Sequence, residues 1–336
     1  MSSEPVELLK KKSVVAIFLI LFAAVFFVLQ AVYAPIFDLF IILMSLLVTK
    51  EIIGLFAKIG KPLYKPLAFL VPVLFFVLVV IGFYTGLSAL WMFIISVCIM
   101  AVLYLLSLLW GYGFKKEYSR DAFVTSTGMN VNRFIMLKSN NTLALFVYPN
   151  FLLFFMYLLN HIDALKISNI ATVFSGAYIA LFGLILVFAI SSLSDTLANL
   201  CGTFLKGPKV FPPISFGAGH NSLFYPNGKP VSPNKRWSGC IGGLIGGMIA
   251  GIVVYFVFAA IFPGLYNTVH WWQFLIVGLF GSVVSQIGDV FESYLKRRAG
   301  VVDAGTLLKS HGGVVDRIDA IIFNTPFIFV CLLLIL

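Results

Sequence analysis

Residues 271–320 read WWQFLIVGLFGSVVSQIGDVFESYLKRRAGVVDAGTLLKSHGGVVDRIDA. An uncharged run opens this stretch and continues to Gly288, beginning on the Trp271-Trp272 pair, whose amphipathic rings suit a membrane interface. A spanning helix needs roughly 20 residues, so the run predicts a membrane span that continues into a charged helix at Asp289. Within 285–319 lie five of the thirteen acidic residues (Asp289, Glu292, Asp303, Asp316, Asp319) and five of the twenty-three basic ones (Lys296, Arg297, Arg298, Lys309, Arg317). The chain is 61% hydrophobic and only 11% charged, so this concentration needs a cause.

Working outward, further apolar runs predict spans near 13–37, 36–55, 67–84, 88–110, 143–160, 171–193, 240–262 and 320–336. The expected fold is an all-α polytopic membrane protein of about nine transmembrane helices. Residues 1–12 form a polar head. The run after it is longer than a signal-peptide core, so it reads as a retained span. Residues 13–193 hold about six spans, and 194–336 hold the charged region with a loop at 206–237. Residues 113–142, aromatic and basic, suit the headgroup layer. Glu51 reads as an interfacial ion-pair partner of Lys50 or a neighbour. His161 and Asp163 fall in a short loop. If the N-terminus is cytoplasmic, 21 of the 23 Lys and Arg residues fall on the cytoplasmic side and the C-terminus lies outside. The formal charge of +10 is then explained by topology and contact with anionic lipid, not by nucleic acid.

Asp289, Glu292, Ser293 and Lys296 stand at i, i+3, i+4 and i+7 and share one helical face. Asp316 and Asp319 are likewise i and i+3 at the mouth of the next apolar run. Between them, the backbone around His311-Gly312-Gly313 can approach an anion closely. Carboxylates from two helix ends flanked by Lys and Arg suit a hard divalent cation holding a phosphate. A solvated, salt-bridged loop between two spans has the same composition. The four cysteines show no Cys-x-x-Cys spacing, and there is no P-loop or nucleophile-elbow motif.

The order Gly288-Asp289, Glu292, Ser293, Lys296-Arg297, Asp303, His311-Gly312-Gly313, Asp316-Arg317-Ile318-Asp319 resembles the C-terminal motif of the phosphatidate cytidylyltransferases (CDP-diacylglycerol synthases). Two further stretches resemble that family: Ser194-Asp195 with Ala198 and Gly202, and Ser232-Pro233-Asn234-Lys235 with Gly239 and Gly242-Gly243. Val302, Lys309-Ser310, Asn199 and Ser238 depart from its usual residues.

The resemblance implies transfer of a cytidylyl group from CTP to phosphatidate, giving CDP-diacylglycerol and pyrophosphate at the cytoplasmic side of the inner membrane. It implies Mg²⁺ on Asp289 and Asp316 with a second cation nearby, and phosphates held by Lys235, Lys296, Arg297 and Arg317. Asp195 and Ser232 then belong to the nucleotide pocket. Glu292, Ser293, Asp303 and Asp319 are further ligands or orienting groups, and His311 with Gly312 and Gly313 shapes a phosphate loop. The glycines after Gly239 permit close helix packing in lipid and would suit a homodimer contact. Other outcomes of the same sequence are a polyprenol kinase, an archaeal-type lipid cytidylyltransferase, an inactive family member or a transporter. The charges cluster at one face and do not line the midplane, which disfavours the transporter.

Overall fold

A computed structural model describes residues 33–162, 177–214, 222–307 and 312–335, together with residues 25, 27, 28 and 30. The expected span at 13–37 lies for the most part outside the described residues, and Asp163 and His311 lie outside them. Those described are mainly helical and form no strand. The helices are α1 (Ala34–Lys58), α2 (Lys65–Thr85), α3 (Ala89–Gly113), α4 (Lys115–Tyr118), α5 (Ala122–Thr127), α6 (Val131–Leu145), α7 (Leu152–Asn160), α8 (Ala177–Phe204), α9 (Trp237–Ile261), α10 (Leu265–Thr268), α11 (Trp271–Arg298) and α12 (Val315–Ile335). Among the described residues, eight stretches are long and apolar enough to cross a membrane, with α6 and α7 counted as one. They correspond to the second to ninth predicted spans, and the protein is an all-α, multi-pass membrane protein.

Local chemistry sets the boundaries. Pro35 and Pro66 stand in the first turns of α1 and α2, where the missing N–H costs nothing. Gly86 ends α2 with φ +68, a left-handed conformation that favours glycine. The polar stretch 113–142 folds into α4, α5 and most of α6. The side chains of Asp121 and Asn130 accept from Phe123 N and Asn132 N at 2.8 and 2.9 Å, starting α5 and α6. A π-turn at Phe146–Phe151 then separates α6 from α7.

The C-terminal helices pack through glycine. On α9, Gly246 abuts the Leu193 carbonyl of α8, where a Cβ would lie 2.6 Å away. Gly247 and Gly278 bring the α9 and α11 backbones together, and a Cβ on either would strike the other's carbonyl. Without a hydrophobic drive between helices in lipid, this approach supplies the packing. Gly242, Gly243, Gly246, Gly247 and Gly251 are all buried within the chain. The glycine face that the sequence offers for a homodimer is therefore used inside the monomer.

At one end of α1, Asp38 is buried and accepts from Asn160 Nδ2 at 2.9 Å. It also pairs with His161 Nε2 at 2.7 Å. His161, expected in a loop, is a buried partner that ties α1 to the end of α7.

Candidate active site

Four helices (α8, α9, α11 and α12) and one strap meet around a cavity of about 730 Å³. α8 supplies Asp195, α11 supplies Asp289, and α12 supplies Asp316, Arg317 and Asp319. The segment before α9 supplies Ser232 and Lys235. Asp195 lies inside α8, not at its end, because that helix runs on to Phe204. It is a wall of the cavity and not a helix cap.

The strap is held by its own backbone. Val210 N donates to Lys235 O at 3.0 Å, and Trp237 N donates to Pro208 O at 3.0 Å. Arg236 Nη1 donates to Gly207 O at 3.0 Å. The loop expected at 206–237 is thus tied, where described, to the start of α9. This delivers Lys235, whose ammonium donates to Asp289 Oδ2 at 2.8 Å and to Gln286 O at 3.3 Å.

A second cation lies deeper. Lys296 donates to Glu292 Oε2 at 2.8 Å and to Asp316 Oδ1 at 2.7 Å. The first contact follows from i,i+4 spacing on α11, and the second crosses to α12. Glu292 is 1% exposed, and its Oε1 has no hydrogen-bond partner. The other Asp316 oxygen, Oδ2, accepts from Gly313 N at 2.7 Å and Ala304 N at 3.0 Å. Gly312 turns the chain there with φ +81, where a Cβ would lie 2.8 Å from Asp316 Oδ2 and 3.3 Å from Asp303 Oδ1.

The backbone donors beside the glycines are therefore engaged. Gly313 N serves Asp316, while Val314 N and Val315 N donate to Glu51 Oε1 and Oε2 at 3.0 and 2.9 Å. This corrects one expectation: Glu51 serves α12 instead of pairing with Lys50. Of the residues expected to offer amides to an anion, Gly313 gives its N–H to the protein's own Asp316. Of the other expected residues, Arg297 and the exposed Asp303 do not line the cavity, and Ser293 is buried on α11. Arg297 faces a neighbouring hollow and donates to Val301 O at 3.2 Å. Sequence reasoning missed Gln286, Arg236 and Glu51. The first two carry no local signal, because their partners are main-chain carbonyls brought up by folding.

Asp195, Asp289 and Asp319 lie within electrostatic reach of one another, and Lys235 opposes the negative charge. Among the described residues no three His, Cys, Asp or Glu side chains form a ready-made metal cage. Mg²⁺ keeps several waters and is held by one or two carboxylates plus substrate phosphates. The oxygen-only donor set of Asp289, Asp316 and their neighbours suits that ion.

Fold and site together define an integral, multi-pass membrane protein with an acid-and-ammonium pocket at one end of its C-terminal helices. Residues 227–335 match the model of the cytidylyltransferase family. The chain is 35% identical over 139 residues to a phosphatidate cytidylyltransferase of Brucella abortus, covering 41% of this chain and 42% of that protein. It is 36% identical over 104 residues to one from Bacillus subtilis, covering 31% and 36%. To one from Rickettsia felis it is 28% identical over 150 residues, covering 44% and 56%. The chain thus spans about half or less of the length of these relatives. Its C-terminal portion is similar to the cytidylyltransferase family.

Proposed function

We propose that the protein transfers the cytidylyl group of CTP to the phosphate of phosphatidate, forming CDP-diacylglycerol and releasing pyrophosphate, with the site facing the cytoplasm. The observation that carries this is the meeting of Asp195, Asp289, Asp316, Asp319 and Lys235 around one cavity, all but Asp195 in the segment related to cytidylyltransferases. A lipid phosphate oxygen attacks the α-phosphorus of CTP. The bond from that phosphorus to the oxygen bridging it to the β-phosphorus breaks, and pyrophosphate leaves.

The nucleophile is already anionic near neutral pH, so the obstacle is bringing two anions together. Positioning and charge neutralisation supply most of the catalysis. Lys235, standing at the cavity wall, is a point charge for the triphosphate, and Arg317 can take phosphate bidentately. Lys296 keeps Asp316 and Glu292 apart and directed. Asp289 and Asp316 would hold Mg²⁺, which when bound neutralises the leaving pyrophosphate. The excess of Lys and Arg over the segments joined to this end supports a cytoplasmic site, an N-terminus inside and a C-terminus outside. CTP is available on that side.

The test is incubation of the purified protein in nanodiscs with CTP labelled at the α-phosphorus, Mg²⁺ and phosphatidate. Label entering the lipid phase with equimolar pyrophosphate, and lost with EDTA, supports the proposal. Label that stays soluble, or phosphate passed to a polyprenol with CDP released, overturns it.

A further inference from the structure

Glu51 lies on α1, far outside the segment matched by the cytidylyltransferase family, yet its carboxylate ends at the catalytic loop. Its two oxygens accept from Val314 N and Val315 N at 3.0 and 2.9 Å. Two glycines leave room for it. A Cβ on Gly313 would come 2.5 Å from Glu51 Oε2, and one on Gly305 would collide with the same carboxylate.

The first turn of a helix has unpaired N–H groups and a partial positive charge, and a carboxylate placed there satisfies both. The helix capped in this way is α12, whose second residue is Asp316. The main chain that Glu51 fixes adjoins Gly313 N, which donates to Asp316 Oδ2 at 2.7 Å. Asp316 Oδ1 in turn meets Lys296 at 2.7 Å. The path from Glu51 to the site is two hydrogen bonds long, through the turn 313–315.

We infer that Glu51 is a positioning residue for this site: it holds the turn 313–315 and the start of α12 so that Asp316 faces Lys296 and the cavity. The N-terminal half of the chain thereby completes an active centre whose other members all lie after residue 194. Glu51 touches neither substrate nor metal in this scheme and acts through Asp316. The activity arm of the test rests on the function proposed above, and the exchange arm does not.

The experiment compares the full chain in nanodiscs with Glu51→Ala, Glu51→Asp and, as a control, Lys50→Ala at the exposed neighbouring position. Hydrogen–deuterium exchange is followed over 312–319, and turnover of CTP with phosphatidate is followed as Mg²⁺ is varied. Glu51→Ala is expected to lose exchange protection at 312–319 only. Its kcat should fall about 10- to 100-fold, as for other groups that orient metal ligands. It should need more Mg²⁺ for half-maximal rate, with KM for phosphatidate unchanged. Glu51→Asp, which keeps both acceptor oxygens, should recover part of each effect, and Lys50→Ala should match the wild type. Retained protection at 312–319 with wild-type kcat and Mg²⁺ dependence overturns the inference. So does loss of protection along the whole chain with an unchanged Mg²⁺ requirement, since that marks general destabilisation. If the wild type turns over no CTP with phosphatidate, the proposed function fails, while the exchange result at 312–319 still decides the role of Glu51.

Discussion

Replacing Lys296 by methionine removes the one ammonium that two buried carboxylates share. Lys296, Glu292 and Asp316 have side chains 15%, 1% and 8% exposed, and the two contacts are 2.8 and 2.7 Å long. Breaking a buried ion pair from one side costs about 3–5 kcal/mol, because the remaining charge is left without a partner. Asp316 keeps its two backbone donors, so the loss falls mainly on Glu292, whose other oxygen has none. The lower end, about 3 kcal/mol, is therefore expected. That corresponds to a shift of roughly 100-fold in the folding equilibrium.

If unpaired charge is the cause, adding Glu292→Gln should recover stability, since the double variant no longer buries an isolated anion. A double-mutant cycle measured by SDS-induced unfolding in mixed micelles, followed by circular dichroism, reports both numbers. A Lys296→Met protein within about 0.5 kcal/mol of wild type, the usual range for surface changes, would refute the reasoning. A double variant no more stable than the single one would refute it equally.

Asp289→Asn leaves Lys235 without its anionic partner and removes a proposed Mg²⁺ ligand. Turnover should drop at least about 100-fold, and wild-type rate with normal Mg²⁺ dependence would exclude Asp289 from that role. Asp38→Asn weakens the buried contact to His161, and a stability loss of about 1–3 kcal/mol should appear in the same unfolding assay. Asp38 lies thirteen positions before Glu51 on α1, roughly 20 Å away, so KM for CTP should not move. Gly247→Leu drives a side chain into the Gly278 carbonyl and should give aggregated protein on size-exclusion chromatography in detergent. Gly54→Leu, at a position with nothing within 4 Å, should elute as wild type.

Much of this molecule is legible because lipid makes sequence patterns literal. Apolar runs of spanning length became α1, α2, α3 and α9 with little change of boundary. Helical spacing alone joins Glu292 to Lys296. Less legible was where helices continue past their apolar part. α8 carries Asp195 inward because Thr196 to Phe204 stay helical, and α6 begins in a polar stretch because Asn130 caps it. Composition assigns such stretches to loops, whereas capping and tertiary contacts keep them helical.

The longest error concerned single acids inside apolar helices. Glu51 has Lys50 beside it, yet consecutive residues on a helix point about 100° apart and do not face each other. That spacing already counts against the local pair. An ionisable group within a membrane segment is costly unless it finds a partner facing the protein interior. When its own helix offers none at i±3 or i±4, the partner has to come from elsewhere in the chain. Glu51 meets the amides of Val314 and Val315, and Asp38 meets Asn160 and His161. Both are acids on α1 without a basic residue at i±3 or i±4, except that Lys58 and Glu51 stand a full two turns apart. The rule that sets their cost in lipid therefore also says that their partners are distant. Only the three-dimensional packing says which ones.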